Sequence, residues 1–130
     1  MEKHSDIVII GAGLAGLTAG IHLSKNGFSV TIIEKNEFPK HKVCGEYISN
    51  EVLSYCEFLE INFEELYVNH IDQLEFSLPN GTSFSAKLPL GGFGVSRYTL
   101  DFYLFEKAKE QGCIFIEDEV KEVTFLEDAF

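Results

Sequence analysis

A glycine-rich hexapeptide that directly follows a short apolar run constrains the fold of this chain more than any other feature. Residues 7–10 read Ile-Val-Ile-Ile, and residues 11–16 read Gly-Ala-Gly-Leu-Ala-Gly. An uninterrupted apolar run is typical of a parallel strand buried on both faces, and the leucine and isoleucine spacing after the glycines predicts a helix that ends near Asn26 and Gly27. A second apolar, β-branched run at residues 30–33 ends at Glu34. The segment therefore predicts a β-α-β unit.

Each glycine of the hexapeptide has a mechanical reason to be there if the unit binds a dinucleotide. Gly11 permits the tight turn, Gly13 lets a pyrophosphate approach the backbone, and Gly16 lets the helix pack closely on the strand. The amino end of the helix favours an anion, and an acid at the end of the second strand, Glu34, can bind ribose hydroxyls and would repel a 2′-phosphate. The alternative is a turn in another α/β fold. Strand, helix and acid at the expected spacing together favour dinucleotide binding.

Composition excludes several other classes of protein. The 130 residues carry a formal net charge of −11, which argues against a nucleic-acid or anionic-membrane surface. No apolar run is long enough to span a membrane, and the polar start is too short for a signal peptide, so we expect a cytoplasmic protein. Three cysteines without C-x-x-C spacing indicate neither a disulfide framework nor a metal site.

A polar segment broken by proline follows Glu34 and predicts a loop. It concentrates positive charge at Lys35, Lys40 and Lys42, either beside the phosphates of a bound dinucleotide or simply in solvent. Cys44 places a small side chain near the cofactor or only packs in the interior. Ser49 could then cap a helix that carries Val52, Leu53, Cys56 and Leu59.

Alternating side chains at residues 71–87, around Pro79-Asn80-Gly81, predict an antiparallel hairpin. This hairpin either begins a second sheet that walls a substrate cavity or is an edge ribbon that covers the parallel sheet. The Gly-Gly-Phe-Gly run at residues 91–94 lacks the lysine of a phosphate loop, which favours a flexible connection. A helix capped by Ser96 or Thr99 is expected through Gln111, followed by a strand at residues 113–116 and another strand that begins with Val120, Val123 and Phe125 and runs to the final residue.

Three motifs together resemble FAD-dependent oxidoreductases of the p-hydroxybenzoate hydroxylase fold, which include geranylgeranyl reductases, flavin halogenases and aromatic-type monooxygenases. They are the glycine fingerprint ending in Glu34-Lys35, the segment Pro39…Lys42-x-Cys44-Gly45-Glu46, and Ser96-Arg97-x-x-Leu100-Asp101-x-x-Leu104 with Ala108 and Gly112. The resemblance implies a Rossmann-like α/β fold with a parallel sheet and an inserted antiparallel hairpin. It implies one partial, N-terminal FAD-binding domain over residues 1–130, with residues 1–40 and 96–130 in the Rossmann core and residues 70–90 starting the substrate-side sheet.

The resemblance also implies which residues bind the cofactor. The pyrophosphate would be held by the six residues of the glycine-rich turn: Gly11, Ala12, Gly13, Leu14, Ala15 and Gly16. Glu34 would hold the adenosine ribose, and Lys35 completes that motif. Lys42 and Gly45 would lie beside the flavin, together with Glu46. Arg97 would contact the phosphate or ribityl region of FAD, with a surface salt bridge as the alternative.

In such enzymes the flavin carries out the redox chemistry, NAD(P)H is the expected electron donor, and a small or lipid substrate is hydroxylated, halogenated or reduced. Family members extend well past the length of this chain, so we expect it alone to be inactive and to bind FAD weakly. The sequence assigns no catalytic acid or base: the four histidines are expected in solvated or packing positions, and Glu46 is notable only for its place in the loop. An NAD-dependent dehydrogenase and a non-catalytic dinucleotide-binding module are the alternatives, and the oligomeric state stays open.

Overall fold

The computed structural model of the protein describes residues 4–127. The chain divides into two compact units, one formed by the chain up to Lys40 and again from Asp101, the other by residues 41–100. In chain order the strands and α-helices are β1 (Ile7–Ile10), α1 (Leu14–Lys25), β2 (Val30–Glu34), β3 (Tyr47–Ser49), α2 (Leu53–Phe58), β4 (Asn69–Ser77), β5 (Ser83–Gly94), α3 (Arg97–Glu110) and β6 (Ile114–Glu117). Short 3-10 turns occur at Asn50–Val52 and Phe63–Leu66.

The first unit contains a parallel sheet with the strand order β1-β2-β6. Ile7 pairs with Val30, and Thr31 pairs with Ile114, so all three strands run in the same direction. Helix α1 connects the first two strands, as the apolar runs and the glycines predicted. A Cβ at Gly20 would lie 2.7 Å from Cδ1 of Ile32, which confirms that the helix packs closely on the sheet.

One face of this sheet is open among residues 4–127, and the expectation that β1 is buried on both faces is wrong. Ile9 faces α1, because its Cγ2 atom lies 3.3 Å from the position of a Cβ at Gly16. Val8 and Ile10 point the other way and are 52% and 59% exposed. Successive side chains of a strand alternate between faces, and α1 covers only one of them.

The later elements of the first unit follow the predicted order, with one correction. Helix α3 ends one residue before the predicted Gln111, and Gly112 follows with φ +93°. The strand expected to begin with Val120, Val123 and Phe125 is not formed: residues 118–125 have no strand, although their continuation from residue 128 lies outside the described residues. Val123 and Phe125 are exposed, and the first bridge after β6 is at Leu126, so the apolar spacing alone does not fix a strand over residues 118–125.

The second unit contains an antiparallel sheet with the order β3-β5-β4. The predicted hairpin is confirmed: Ser77 pairs with Ser83, and Gly81 lies in the turn with φ +86°. Ser49 accepts a hydrogen bond from the N–H of Glu51 and so caps the 3-10 turn Asn50–Val52, whereas α2 begins after Val52 without a side-chain cap. Strand β5 of the hairpin also pairs with β3, so the hairpin is part of an antiparallel sheet that is separate from the parallel sheet.

Residues 91–94 are not a flexible connection, as the sequence had suggested, but the last part of β5. Phe93 is buried, and Gly92 pairs with Ser49 of β3. A Cβ at Gly92 would lie 2.4 Å from the backbone oxygen of Ile48. The close approach of β3 and β5 therefore requires glycine at residue 92, and this packing explains the glycine without a flexible loop.

Candidate functional site

The turn between β1 and α1 needs glycine at two positions for reasons internal to the chain. Gly11 has φ +96°, a conformation that other residues rarely adopt, and its N–H donates to the carbonyl of Ile33 at 2.8 Å. A Cβ at Gly16 would lie 2.0 Å from the carbonyl oxygen of Gly11. The first turn of the helix therefore rests directly on the strand end, as the dinucleotide fingerprint requires.

Gly13 differs from these two glycines, because no atom lies within 4 Å of the position where its Cβ would be. Gly13 is the N-cap of α1, no side chain caps this end, and the first turn contains no acidic residue. The amides at the start of the helix, which includes Leu14 and Ala15, have no intrahelical acceptor. Open space beside free N–H donors fits a pyrophosphate group.

Glu34 lies at the carboxyl end of β2 and is bonded to the glycine-rich turn. Its Oε2 atom accepts a hydrogen bond from the N–H of Ala12 at 2.8 Å. Its Oε1 atom accepts from the backbone and side-chain nitrogens of Asn36, at 3.0 and 2.9 Å, and from Nζ of Lys40 at 2.7 Å. The sequence had predicted that Ala12 contacts the pyrophosphate. In the structure its N–H instead donates to Glu34 and links the glycine-rich turn to this carboxylate.

The surroundings of Glu34 keep its carboxylate ionised. Burial raises the pKa, but the hydrogen bonds from Lys40, Ala12 and Asn36 outweigh it and lower the pKa of Glu34 to about 2. The side chain is 11% exposed. At neutral pH this group is therefore an acceptor only, as binding of ribose hydroxyls requires.

A cleft of about 270 Å³ lies at the carboxyl ends of the parallel strands. Its lining combines the end of β1, the end of β2 and the segment after β6: Ile10, Gly11, Ile33, Glu34, Lys35, Asp118, Glu119 and Val120. Lys35 forms an exposed ion pair with Glu119 at 3.4 Å. Ligands of open parallel sheets bind outside the carboxyl ends of the strands, so the position of this cleft suits a nucleotide. A larger cleft of about 550 Å³, in the second unit, contains none of the motif residues.

The other candidate residues, Lys42, Gly45 and Arg97, belong to the second unit, where Lys42 and Gly45 are exposed. The backbone N–H of Arg97 donates to Oε1 of Glu46 at 3.2 Å. Cys44 is also exposed, so it does not pack in the interior. The N–H of Glu46 and the guanidinium of Arg97 lower the pKa of the Cys44 thiol.

Sequence reasoning missed two partners of Glu34 and one buried acid. Asn36 was not singled out, and Lys40 was expected either at the phosphates or in solvent. Asn36 and Lys40 follow Glu34 by two and six residues, in a loop that can fold back on the end of β2, and this short spacing could have indicated that both contact Glu34. Asp101, on α3, is completely buried, although it had been noted only as part of a motif.

Two further classes of site are not found. Among residues 4–127 no group of three or more histidine, cysteine, aspartate or glutamate side chains could hold a metal ion. In the same part of the chain, no helix is long and apolar enough to cross a membrane. Of the histidines, His41 packs against the ring of Tyr98 at 4.7 Å between centroids.

The parallel β-α-β unit with its glycine-rich turn defines a fold of the Rossmann-type, dinucleotide-binding class. Comparison with known proteins makes this more specific, since residues 6–45 match the family of FAD-dependent oxidoreductases. Over these residues the chain resembles that family, and its fold is the one shared by flavin halogenases and a geranylgeranyl bacteriochlorophyll reductase-like protein.

Two relatives and one solved structure show how much of the chain is similar to known proteins. Digeranylgeranylglycerophospholipid reductase 1 of Methanosphaera stadtmanae is 30% identical over 97% of this chain and 32% of its own length. Conditioned medium factor receptor 1 of Dictyostelium discoideum is 29% identical over 98% of this chain and 27% of its own length. The structure of the flavin-dependent brominase Bmp2 superposes with a TM-score of 0.80 and 27% identity over 95% of this chain and 31% of that chain. The chain thus spans roughly a third or less of these proteins.

Proposed function

We propose that this chain forms the FAD-binding part of a flavin-dependent oxidoreductase. The observation that carries the proposal is the joined site of the first unit, in which the N–H of Ala12 bonds the ionised Glu34 at 2.8 Å beside the open position at Gly13. This arrangement offers donors for a pyrophosphate and an acceptor for a ribose next to each other. The family match supports FAD as the dinucleotide.

The binding roles within this proposal follow the geometry of each unit. The turn from Gly11 to Gly16 holds the pyrophosphate, chiefly through the amides of Gly13, Leu14 and Ala15. Glu34 holds the ribose of the adenosine, and Lys35 contributes positive charge at the same cleft. Lys42, Gly45 and Arg97, in the second unit, are proposed to act toward the flavin and its phosphate.

The protein residues bind and orient the cofactor, and bound FAD supplies the oxidation-reduction chemistry. We propose NAD(P)H as the electron donor and a small or lipid substrate, in a reaction of the monooxygenase, halogenase or ene-reductase type. The names of the brominase and of the digeranylgeranylglycerophospholipid reductase support this range. No residue of the chain is assigned as a catalytic acid or base.

Two alternatives use the same β-α-β unit. An NAD-dependent dehydrogenase would need the glycine-rich turn and Glu34, but not the separate antiparallel sheet. A non-catalytic dinucleotide-binding module would bind FAD or NAD without turnover. Both alternatives predict binding of the ADP portion. The other half of the dinucleotide distinguishes the dehydrogenase, and turnover distinguishes the non-catalytic module.

Calorimetric titration of the purified protein with ADP, FAD, NAD and FMN tests the proposal. We expect FAD to bind at least as tightly as ADP and more tightly than NAD, and FMN, which lacks the adenosine, not to bind. Tighter binding of NAD than of FAD would favour the dehydrogenase, and binding of FMN alone would contradict the site. Oxidation of NADH or NADPH by the FAD-loaded protein would exclude a module without turnover.

A further inference from the structure

Lys40 contacts the ribose-binding acid directly, and this pair is largely shielded from solvent. Its Nζ atom lies 2.7 Å from Oε1 of Glu34, and the two side chains are 18% and 11% exposed. The exposed pair of Lys35 with Glu119, in the same unit, is longer, at 3.4 Å. A short, shielded ion pair contributes more than an exposed one, because water screens it less.

A set of aromatic rings holds the ammonium group of Lys40 in place. Nζ lies 4.6 Å from the centre of the Phe38 ring, which is a cation–π contact. The Phe38 ring stacks on Phe105 of α3 at 4.5 Å, and Phe105 meets Phe115 of β6 edge-on at 4.6 Å. The loop that carries Lys40 is thus anchored through Phe38 to the helix and the sheet of its own unit.

The two carboxylate oxygens of Glu34 have different capacities for a ligand. Oε1 accepts three hydrogen bonds, two from Asn36 and one from Lys40, and has no lone pair left. Oε2 accepts one, from the N–H of Ala12, and can accept another. Lys40 and Asn36 therefore fix the orientation of the carboxylate and leave Oε2 as the oxygen available to a ribose hydroxyl.

Other charges near this carboxylate are mostly negative. Glu117 pairs with Glu34 in the register of β2 and β6. Asp118 and Glu119 line the cleft of about 270 Å³ together with Glu34, and Lys35 is the cation among these lining residues. Burial disfavours ionisation of Glu34, and among the groups that oppose this effect Lys40 lies at the shortest distance, 2.7 Å. The geometry thus gives Lys40 a role that a solvated loop lysine would not have.

We propose that Lys40 is a positioning residue that acts through Glu34: its ammonium group, held over the Phe38 ring, orients and keeps charged the acid that recognises the ribose of an adenine nucleotide. This rests on the proposed function, because it assumes that Glu34 binds ribose. It differs from the direct phosphate contact that the sequence suggested for Lys40. The two roles predict different dependence on the ribose hydroxyls.

The test compares ADP with 2′,3′-dideoxy-ADP, which keeps both phosphates but lacks the hydroxyls that Glu34 would bind. For Lys40→Met we expect the affinity for ADP to fall roughly ten- to a hundredfold, as for loss of a charged hydrogen bond, and the affinity for the dideoxy nucleotide to be unchanged. Lys40→Arg should retain most of the affinity for ADP. Lys109→Met is the matched control, because Lys109 lies over the Phe105 ring at 5.0 Å and pairs with Glu106. It should change neither affinity.

An equal loss for both nucleotides in Lys40→Met would overturn the proposal in favour of a direct phosphate contact, and no loss for either would also overturn it. A second measurement does not depend on any ligand: titration of the Glu34 carboxyl by carbon-13 NMR. We expect its pKa to rise in Lys40→Met and to stay unchanged in Lys109→Met. An unchanged pKa in Lys40→Met refutes the positioning role. Failure of the unaltered protein to bind ADP, with the pKa change present, would instead refute the proposed function alone.

Discussion

Two glycines of one motif should respond in opposite ways to the same substitution. In Gly16→Ala the new Cβ would lie 2.0 Å from the carbonyl oxygen of Gly11, far inside contact distance. The neighbouring atom is backbone, and the N–H of Gly11 is itself bonded to Ile33 at 2.8 Å, so the turn cannot move without breaking that bond. Overpacking typically costs about 1–3 kcal/mol, and a backbone clash falls at the upper end. Alanine regains about 1 kcal/mol of helix propensity. We expect a net destabilisation of about 2 kcal/mol.

In Gly13→Ala the new Cβ meets no atom within 4 Å, and the backbone angles of φ −81° and ψ −175° suit alanine. Alanine is a poorer N-cap than glycine, but it restricts the unfolded chain, and the two effects of about 0.5 kcal/mol each offset. We expect unchanged stability. The same methyl group occupies the space assigned to the pyrophosphate, so the affinity for ADP should fall by about tenfold or more, as a 1.4 kcal/mol loss would give.

Urea unfolding followed by circular dichroism measures the stabilities, and calorimetric titration with ADP measures the affinity. The reasoning fails if Gly16→Ala is as stable as the unaltered protein, because the helix would then not rest on the strand end. It also fails if Gly13→Ala binds ADP normally, because the open position would then not be where the pyrophosphate lies. Equal destabilisation by both substitutions would remove the distinction between them.

Three further predictions concern other residues. The pKa of Glu34 is lowered from 4.5 to about 2, so its ionised carboxylate stabilises the fold above pH 4.5, and this stabilisation is lost as the pH falls toward 2. Glu34→Gln should therefore lower the free energy of unfolding by up to about 3 kcal/mol at pH 7 and make it depend less on pH in the acid range, as urea unfolding at several pH values would show. Cys44 should react with iodoacetamide well before Cys56 and Cys113, in peptide mass mapping at pH 7, because it is exposed with a lowered pKa while burial raises theirs. Gly92→Ala should lower the melting temperature by several degrees, because its Cβ would lie 2.4 Å from a backbone oxygen of β3.

The β-α-β unit and the hairpin could be predicted because their signals are local. Apolar runs, the spacing of the glycines and the Asn-Gly turn each act within a few residues of the chain. The extent of burial could not be predicted, since the sequence does not show whether a second layer of helices or strands covers the side chains of Val8 and Ile10. The strand expected to begin at Val120 is not formed over residues 118–125, because strand formation depends on a partner that the spacing does not reveal.

The partners of Glu34 were missed for a different reason. The acid was expected to point at a ligand, and the lysines after it were assigned by charge alone. In the structure Lys40 is drawn to the acid, because the loop folds back and Phe38 stacks on Phe105. Phe38 and Phe105 lie on either side of residues 41–100 in the sequence, so no local pattern indicates that their rings stack. Charge complementarity predicted that these lysines matter, but not what they contact.

Glycines that serve packing can be distinguished from glycines that serve a ligand by what a Cβ would meet. At Gly16 and Gly92 it would meet backbone of the same unit, which explains glycine without any ligand. At Gly13 and Gly45 it would meet nothing within 4 Å, so the chain itself does not require glycine there. Openness alone is not sufficient, because Gly45 lies in an exposed loop where open space is ordinary. At Gly13 the open space adjoins an uncapped helix start that is bonded through Ala12 to an ionised acid, and this combination, more than the glycine spacing, supports a dinucleotide site.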